Sequence, residues 1–165
     1  MLGESMLVAP VFSEDGSVSY YLPKGKWSHF LTGEQVDGGT WRNEQYDYFS
    51  LPLFVRKNSV IPVGNETGKP DYDYANGVTF HVFDLDNVTE IETIVPDVEG
   101  SRKMTMNLGK NEDSLVFQGT GLENWSILLR NVSKINKIEN GTWQKEVNGV
   151  MVVPENSNEP IQIIL

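Results

Sequence analysis

The chain has 165 residues, no cysteine, and 23 acidic against 13 basic residues, which gives a net charge of −10. The absence of thiols excludes disulfide bridges and cysteine-ligated zinc. The acidity argues against nucleic acids and anionic membrane surfaces as partners, because both are bound through clustered Lys and Arg side chains. A hydrophobic fraction of 39% can supply the core of one average domain or of two small ones.

Targeting signals are weak. No stretch approaches the roughly 20 apolar residues that would span a bilayer, and residues 1–4 (MLGE) do not have the basic start of a signal peptide. Five Asn-x-Ser/Thr triplets are present, but a chain rich in Asn, Ser and Thr contains such triplets by chance. We therefore expect a cytoplasmic protein. The triplets begin at Asn65, Asn87, Asn124, Asn131 and Asn140.

Short apolar runs along the chain predict β-strands. Residues 6–9 and 150–153 are continuously apolar, which favours strands buried on both faces. Residues 78–83, 103–108 and 161–165 alternate, which indicates strands with one face in the core. The predicted core faces are Val78, Phe80 and Val82, then Met104, Met106 and Leu108, then Ile161, Ile163 and Leu165.

Two Asp-Gly and three Asn-Gly pairs are present, and several of them lie between such runs, where they predict type I′ hairpin turns. Residues 122–140 contain no Gly or Pro and fit both helical and strand spacing, and we interpret them as a strand followed by a loop. Closely spaced short strands are typical of sandwiches and small barrels.

A polar, breaker-rich stretch near residues 64–72 predicts a domain boundary. The expected organisation is therefore a first domain over residues 1–64, a linker over 65–72 and a second domain over 73–165. The fold class is all-β, with two small antiparallel sandwich-like domains.

The two histidines, His29 and His81, are separated in sequence, and no nucleophile motif accompanies them. We interpret both as structural residues. A catalytic triad would need a base that is oriented by an acid and contacts a nucleophile.

Small acidic pairs provide a second candidate for chemistry. Asp71 with Asp73, and Asp84 with Asp86, would each share a strand face. Paired carboxylates serve glycosidases and calcium sites, but neither pair has the spacing of an EF-hand loop. Solvated loop acids are the favoured interpretation, so we nominate no catalytic residue, no metal ligand and no cofactor.

Aromatic side chains provide the third candidate. Tyr46 with Tyr48, and Tyr72 with Tyr74, would each share a face and are nominated as sugar or interface contacts, because flat rings stack on sugars and also fill cores. Trp41 is open to the same alternatives. The other three tryptophans, which lie in or beside apolar patterns, are expected in the core: Trp27, Trp125 and Trp143.

Three segments resemble glycoside hydrolase family 31 in their order and spacing. Residues 3–11 (GESMLVAPV) are similar to the segment that leaves the family's catalytic barrel, and residues 21–27 (YLPKGKW) and 50–62 (SLPLFVRKNSVIP) resemble two signatures of the β-domain behind it. Residues 80–85 (FHVFDL) and 124–132 (NWSILLRNV) look like the distal C-terminal domain of the bacterial α-xylosidase branch.

The resemblance implies a retaining α-glycosidase whose two catalytic aspartates lie on an upstream (β/α)8 barrel that this sequence lacks. The chain would then be the non-catalytic C-terminal part of an α-xylosidase, with the barrel as its partner and an oligosaccharide as the parent enzyme's substrate. An α-glucosidase parent and an independent carbohydrate-binding module are the alternatives. The face left uncovered would favour self-association as a homo-oligomer. Arg56 is expected to make structural hydrogen bonds or an ion pair.

Overall fold

The computed structural model describes residues 1–86, 88–121 and 123–165. Asn87, which begins one of the five triplets, and Leu122, which begins the ambiguous segment, lie outside these ranges. The described residues form strands and no helix, so they provide no helix with the length and apolar character to cross a membrane. The all-β prediction is confirmed.

The chain divides into two compact units, Met1–Ser59 and Val60–Leu165. This division falls a few residues before the predicted linker. The domain bounds given by the sequence stay a prediction.

The first unit contains two sheets. β1 (Met6–Val8), β6 (Leu53–Arg56), β3 (Lys26–His29) and β4 (Gln35–Asp37) form one sheet in that order, and β2 (Ser17–Leu22) pairs with β5 (Thr40–Gln45) in the other. The side chains of Leu7, Tyr20, Leu22, Trp27 and Phe54 form its core. Tyr20 and Leu22 come from one sheet and the other three from the second, so both sheets bury one face against this cluster.

The turn between β2 and β3 is fixed by Trp27. Its indole Nε1 donates to the carbonyl oxygen of Pro23 at 2.8 Å, and its ring is 1% exposed. Gly38 lies against the same carbonyl, where an added Cβ would come within 1.8 Å of the oxygen, so no other residue fits. The guanidinium of Arg56 lies 5.0 Å from the centre of the Trp27 ring. The contact seen for Arg56 is thus a cation–π contact.

The second unit is a sandwich of two five-stranded sheets. One sheet has the order β13 (Lys137–Glu139), β16 (Ile161–Ile164), β11 (Ser114–Thr120), β10 (Arg102–Asn111) and β9 (Val88–Pro96). The other has the order β14 (Gly141–Glu146), β15 (Gly149–Pro154), β12 (Ser126–Arg130), β8 (Thr79–Phe83) and β7 (Ser59–Val63). β8 and β12 pair in parallel, so this sheet is mixed.

The predicted core faces of the second unit are confirmed. Eight of the nine predicted residues are at most 3% exposed, and Leu165 packs against the same cluster. The run at residues 150–153 is different, because Val150 and Val152 are buried whereas Val153 is 47% exposed. That strand is therefore covered on one face.

The local predictions are confirmed in one place and need correction in another. β12 followed by a loop confirms the interpretation of residues 122–140 as a strand and a loop, and β13 adds a short strand at the end of that segment. Asn148-Gly149 does not occupy a type I′ turn, because Glu146 pairs with Gly149 and the two loop residues are Val147 and Asn148. The β10–β11 hairpin instead turns at Glu112 and Asp113, where Glu112 has a φ of 46°.

Replacement of Phe117 by Ala should lower the free energy of unfolding by about 3–5 kcal/mol, because its ring is fully buried opposite Leu108 and Ile161. Val116→Ala is the matched control, since Val116 is 38% exposed on the other face of the same strand. Urea unfolding followed by circular dichroism measures both changes, and equal losses would contradict the assigned core.

Candidate functional site

An open cavity of about 650 Å³ lies in the first unit between the chain before β2 and the chain after β5. Its lining includes Pro10, Val11 and Gly16 on one side and Tyr46, Tyr48 and Leu51 on the other. The Tyr46 amide donates to the Gly16 carbonyl at 2.9 Å, which ties the two segments together. An added Cβ on Gly16 would reach 2.1 Å from the Tyr46 oxygen, so this close approach requires glycine.

Three aromatic side chains belong to the segments that border this cavity: Phe12, Tyr48 and Phe49, which we call the aromatic patch. They are 91%, 95% and 87% exposed. The rings of Tyr48 and Phe49 meet edge to face at 5.3 Å. Large exposed apolar side chains in two segments beside one cavity are typical of a surface that another element covers.

Tyr46 has a different role from Tyr48. It follows the end of β5 rather than continuing it, so the predicted shared strand face with Tyr48 is wrong. Its hydroxyl donates to Glu44 Oε2 at 2.7 Å, and Tyr20 donates to the same oxygen at 2.5 Å. Arg42 donates from Nε to Glu44 Oε1 at 2.7 Å. We call Tyr20, Arg42, Glu44 and Tyr46 the glutamate cluster.

The glutamate cluster favours the ionised form of the Glu44 carboxylate. Partial burial opposes the charge of Glu44, but the hydrogen bonds from Tyr20, Tyr46 and Arg42 outweigh it and lower its pKa. Burial first, and the bond to Glu44 second, raise the pKa of Tyr46 to about 12. The same causes raise the pKa of Tyr20. The cluster therefore holds one negative charge among neutral phenols and a guanidinium.

Both histidines are packed among aromatic rings. His29 is 5% exposed, stacks on Tyr46 at 6.2 Å and meets Phe54 edge to face at 5.0 Å. Burial lowers its pKa. His81 lies in β8 beside Phe83, and burial, with a smaller effect of Arg130, lowers its pKa to about 4. Neutral, enclosed imidazoles of this kind fit the structural role expected from the sequence.

Tyr72 and Tyr74 lie in the turn region before β8, not on a strand face. Their rings meet edge to face at 4.9 Å, and both side chains are half-buried. Tyr74 donates to the Pro70 carbonyl at 3.1 Å, and the Tyr72 hydroxyl lies so close to Gly64 that an added Cβ would come within 1.7 Å. The structure thus gives this pair local packing contacts, and its nomination for sugar or interface contacts stays a prediction.

The predicted acidic pairs also lie outside strands. Asp73 forms an ion pair with Lys103 at 2.6 Å, and this hydrogen bond lowers its pKa. The part of the chain that the structure describes contains no group of three or more His, Cys, Asp or Glu side chains that could hold a metal ion.

The tryptophans divide into buried and exposed pairs. Trp27 and Trp125 are 1% and 3% exposed, as expected for core residues. Trp143 is 41% exposed on β14, so its predicted core position is wrong: β14 is an edge strand. Trp41 is 67% exposed. Phe12 and Phe49 were not predicted as contact residues from the sequence. The signal that could have indicated them is a large apolar residue in a breaker-rich, unpatterned segment.

The described residues form a pair of β-domains, the first of which exposes the aromatic patch beside an open cavity. Residues 1–61 match the family description "Glycosyl hydrolase family 31 C-terminal domain", and residues 73–165 match "Alpha-xylosidase YicI, C-terminal domain". The chain therefore belongs to glycosyl hydrolase family 31 and comprises C-terminal domains of that family. The resemblance in the sequence is thereby confirmed.

Relatives of known activity match only through a small part of their length. The chain is 31% identical over 125 residues to the alpha-xylosidase XylQ of Lactiplantibacillus pentosus, which covers 74% of this chain and 16% of that protein. It is 31% identical over 121 residues to an alpha-xylosidase of Emericella nidulans, with 68% and 16% covered. The chain spans about one sixth of these relatives.

Solved structures share the fold. The GH31 dextranase of Flavobacterium johnsoniae superimposes with a TM-score of 0.75 at 18% identity, over 100% of this chain and 26% of that one. The GH31 alpha-xylosidase of Xanthomonas citri gives 0.64 at 20% identity, over 100% and 19%. At these identities the likeness concerns the fold alone.

Replacement of Glu44 by Gln should lower the free energy of unfolding at neutral pH by about 1–3 kcal/mol, because charge-assisted hydrogen bonds to both phenols and to Arg42 are lost. The folded pKa of Glu44 is lowered, so its contribution is present above the unfolded pKa and is lost as the pH falls through the folded value. The difference between wild type and variant should therefore shrink in acid.

Urea unfolding at a series of pH values from neutral to strongly acidic measures this difference. Glu14→Gln is the control, because Glu14 is an exposed carboxylate of the same unit. A Glu44→Gln penalty that stays constant throughout the acid range would show that ionisation of the carboxylate is irrelevant to the cluster.

Proposed function

We propose that the chain is the non-catalytic C-terminal part of a longer retaining α-glycosidase, in which it packs against and stabilises an upstream (β/α)8 barrel. The observation that carries this proposal is the pair of adjacent family matches, which together take up most of the chain. Their counterparts in curated relatives are one sixth of a longer polypeptide. Substrate turnover is accordingly assigned to the remainder of such a polypeptide.

The chemistry of Glu44 supports a structural role for this region. A retaining glycosidase needs a carboxylate nucleophile and a second carboxyl group whose pKa is raised so that it can donate a proton. Glu44 has a lowered pKa, and both of its oxygens accept hydrogen bonds from neighbouring side chains. It is held as a fixed charge that orients β2 and β5, which suits a scaffold.

The aromatic patch is the surface that we assign to contact with the barrel. Burial of a large aromatic side chain contributes roughly 1.5–3 kcal/mol. Phe12, Tyr48 and Phe49 are almost fully exposed, so nearly all of that contribution is available to an interface. The cavity beside them can receive a protruding side chain from the covering surface.

We further propose that the parent enzyme is an α-xylosidase. The second domain supports this choice, because the family description that it matches is that of an α-xylosidase, and the two relatives described above carry the same activity in their names. An α-glucosidase parent is the alternative, since an alpha-glucosidase of Bacillus thermoamyloliquefaciens is 32% identical over 75 residues. The cytoplasmic location expected from the sequence stays a prediction.

The purified 165-residue chain should hydrolyse neither p-nitrophenyl α-xyloside nor p-nitrophenyl α-glucoside. The full-length parent should hydrolyse both, and the xyloside faster than the glucoside. Release of p-nitrophenol measures both. Turnover by the chain alone would refute the scaffold role. A parent that prefers the glucoside would refute only the assignment to α-xylosidases.

The double substitution Tyr48→Ser with Phe49→Ser should reduce self-association of the isolated chain and lower the thermal midpoint of the full-length parent, because the same side chains would otherwise meet a second copy or the barrel. Val147→Ser is the control, since Val147 is 97% exposed in the second unit. Sedimentation velocity and calorimetry measure the two effects. An unchanged midpoint of the parent would remove the patch from the proposed interface.

A further inference from the structure

The outward face of the β2–β5 sheet carries a row of uncharged side chains. Ser17 pairs with Gln45, Ser19 with Asn43 and Tyr21 with Trp41, and partners directly opposite one another project from the same face. All six are exposed. The alternate residues, including Tyr20 and Leu22, project into the core. We call this row of six the outer face.

Tyr21 and Trp41 form the aromatic end of the outer face. Their ring centres are 5.8 Å apart at an interplanar angle of 61°, and the rings are 43% and 67% exposed. Each ring thus braces the other while a broad π surface stays open to solvent. Solvent-facing aromatic pairs held on a rigid sheet offer stacking area at a low cost in conformational entropy.

Amide and hydroxyl groups form the rest of the outer face. The Ser19 hydroxyl donates to Asn43 Oδ1 at 2.5 Å, and Gln45 Nε2 donates to the Asp15 carbonyl at 2.7 Å. These bonds fix both amides and leave Asn43 Nδ2 as a donor and Gln45 Oε1 as an acceptor. A shallow cavity of about 350 Å³ lies at this end and is lined by residues 17–19 of β2 and residues 43–45 of β5, which include Glu44.

The size and charge of the outer face indicate the kind of ligand. It extends over four residue steps of strand, roughly 13 Å, which is long enough for more than one pyranose ring. None of its six residues is charged, although charged residues make up 22% of the chain. Two carboxylates border the row, Asp15 through its bond to the Ser17 hydroxyl and Glu44 in the lining of the cavity. An anionic ligand would therefore be repelled, whereas a neutral polyol would meet fixed donors and acceptors. The row is also too polar to resemble the apolar centre of a protein interface.

We propose that the outer face binds a neutral oligosaccharide of gluco- or xylo-configured pyranose units. One ring stacks on Trp41 and Tyr21 through its apolar C–H face, and hydroxyls of the next units bond to Asn43 and Gln45. Equatorial hydroxyls leave a C–H surface on both faces of such a ring, whereas an axial 4-hydroxyl interrupts one of the two faces and so halves the ways of stacking. The choice of these sugars rests on the proposed function, because they are the units that an α-xylosidase or α-glucosidase acts on.

Isothermal titration calorimetry of the 165-residue chain with a xyloglucan heptasaccharide tests the proposal. Wild type should bind saturably, and Trp41→Ala should weaken the affinity by about tenfold or more. Trp143→Ala is the matched control, because Trp143 is also solvent-exposed but lies on β14 of the second unit, and it should bind as wild type does. Asn43→Ala should weaken binding less than Trp41→Ala does.

Tryptophan fluorescence provides an independent readout. Sugar binding should change the emission of wild type and of Trp143→Phe, but not that of Trp41→Phe, in which calorimetry should still detect binding through the remaining phenyl ring. A 4-linked galacto-oligosaccharide should bind more weakly than the heptasaccharide. Circular dichroism verifies that each variant is folded.

Absence of saturable binding to wild type overturns the proposal, as does equal affinity of wild type and Trp41→Ala or of the two sugars. The full-length parent is the last arm: if Trp41→Ala removes no binding event there, the face is covered by another part of the polypeptide and the proposal fails. Turnover by the isolated chain would refute the proposed function and leave these binding results unaffected.

Discussion

The hydrogen bond from the Trp27 indole to the Pro23 carbonyl is the constraint on which the first unit depends. It closes the turn after β2 while the ring fills the core, so one side chain determines both where the strand ends and where the next begins. Gly38 meets the same carbonyl from the β4–β5 connection. The start of β5 is therefore positioned against the end of β2, which sets the register of their sheet.

That register gives the β2–β5 sheet two chemically different faces. Inward, Tyr20 and Glu44 join a charged cluster that extends from the core to Arg42. Outward, the Tyr21–Trp41 pair and the amides project into solvent. Since successive residues on a strand alternate sides, a shift of one position would place Glu44 outside and Trp41 against the core. The separation of a half-buried charged cluster from a row of uncharged side chains thus follows from the alternation of side chains along the strands.

The elements with strict alternation could be predicted from the sequence, because period two is a local property. Val78, Phe80 and Val82 can be assigned to the core without knowledge of their partners, and they are buried.

The glutamate cluster could not be predicted in this way. It depends on which residue of β5 lies opposite Tyr20, and that pairing is set by the distant Trp27 turn. The predicted strand face of Tyr46 and Tyr48 is wrong for a related reason. Alternating aromatic residues predict a strand, but β2, which pairs with β5, begins at Ser17 and leaves no partner beyond Gln45. Asn140-Gly141 does not mark a hairpin, because a positive φ also serves connections between different sheets, here between β13 and β14.

The parallel pairing of β8 with β12 bears on how the chain is made. Thr79 and Ser126 are joined side by side although 47 positions separate them, and the strands between them belong to the opposite sheet. On the ribosome, β8 has β7 as a neighbour but must remain without β12 until the residues of β12 have emerged, because loop closure precedes such long-range contacts. The first unit needs only its own 59 residues and can fold while the second is still being synthesised. The time that translation takes from β8 to β12 is thus the period in which the apolar face of β8 is exposed to misassembly.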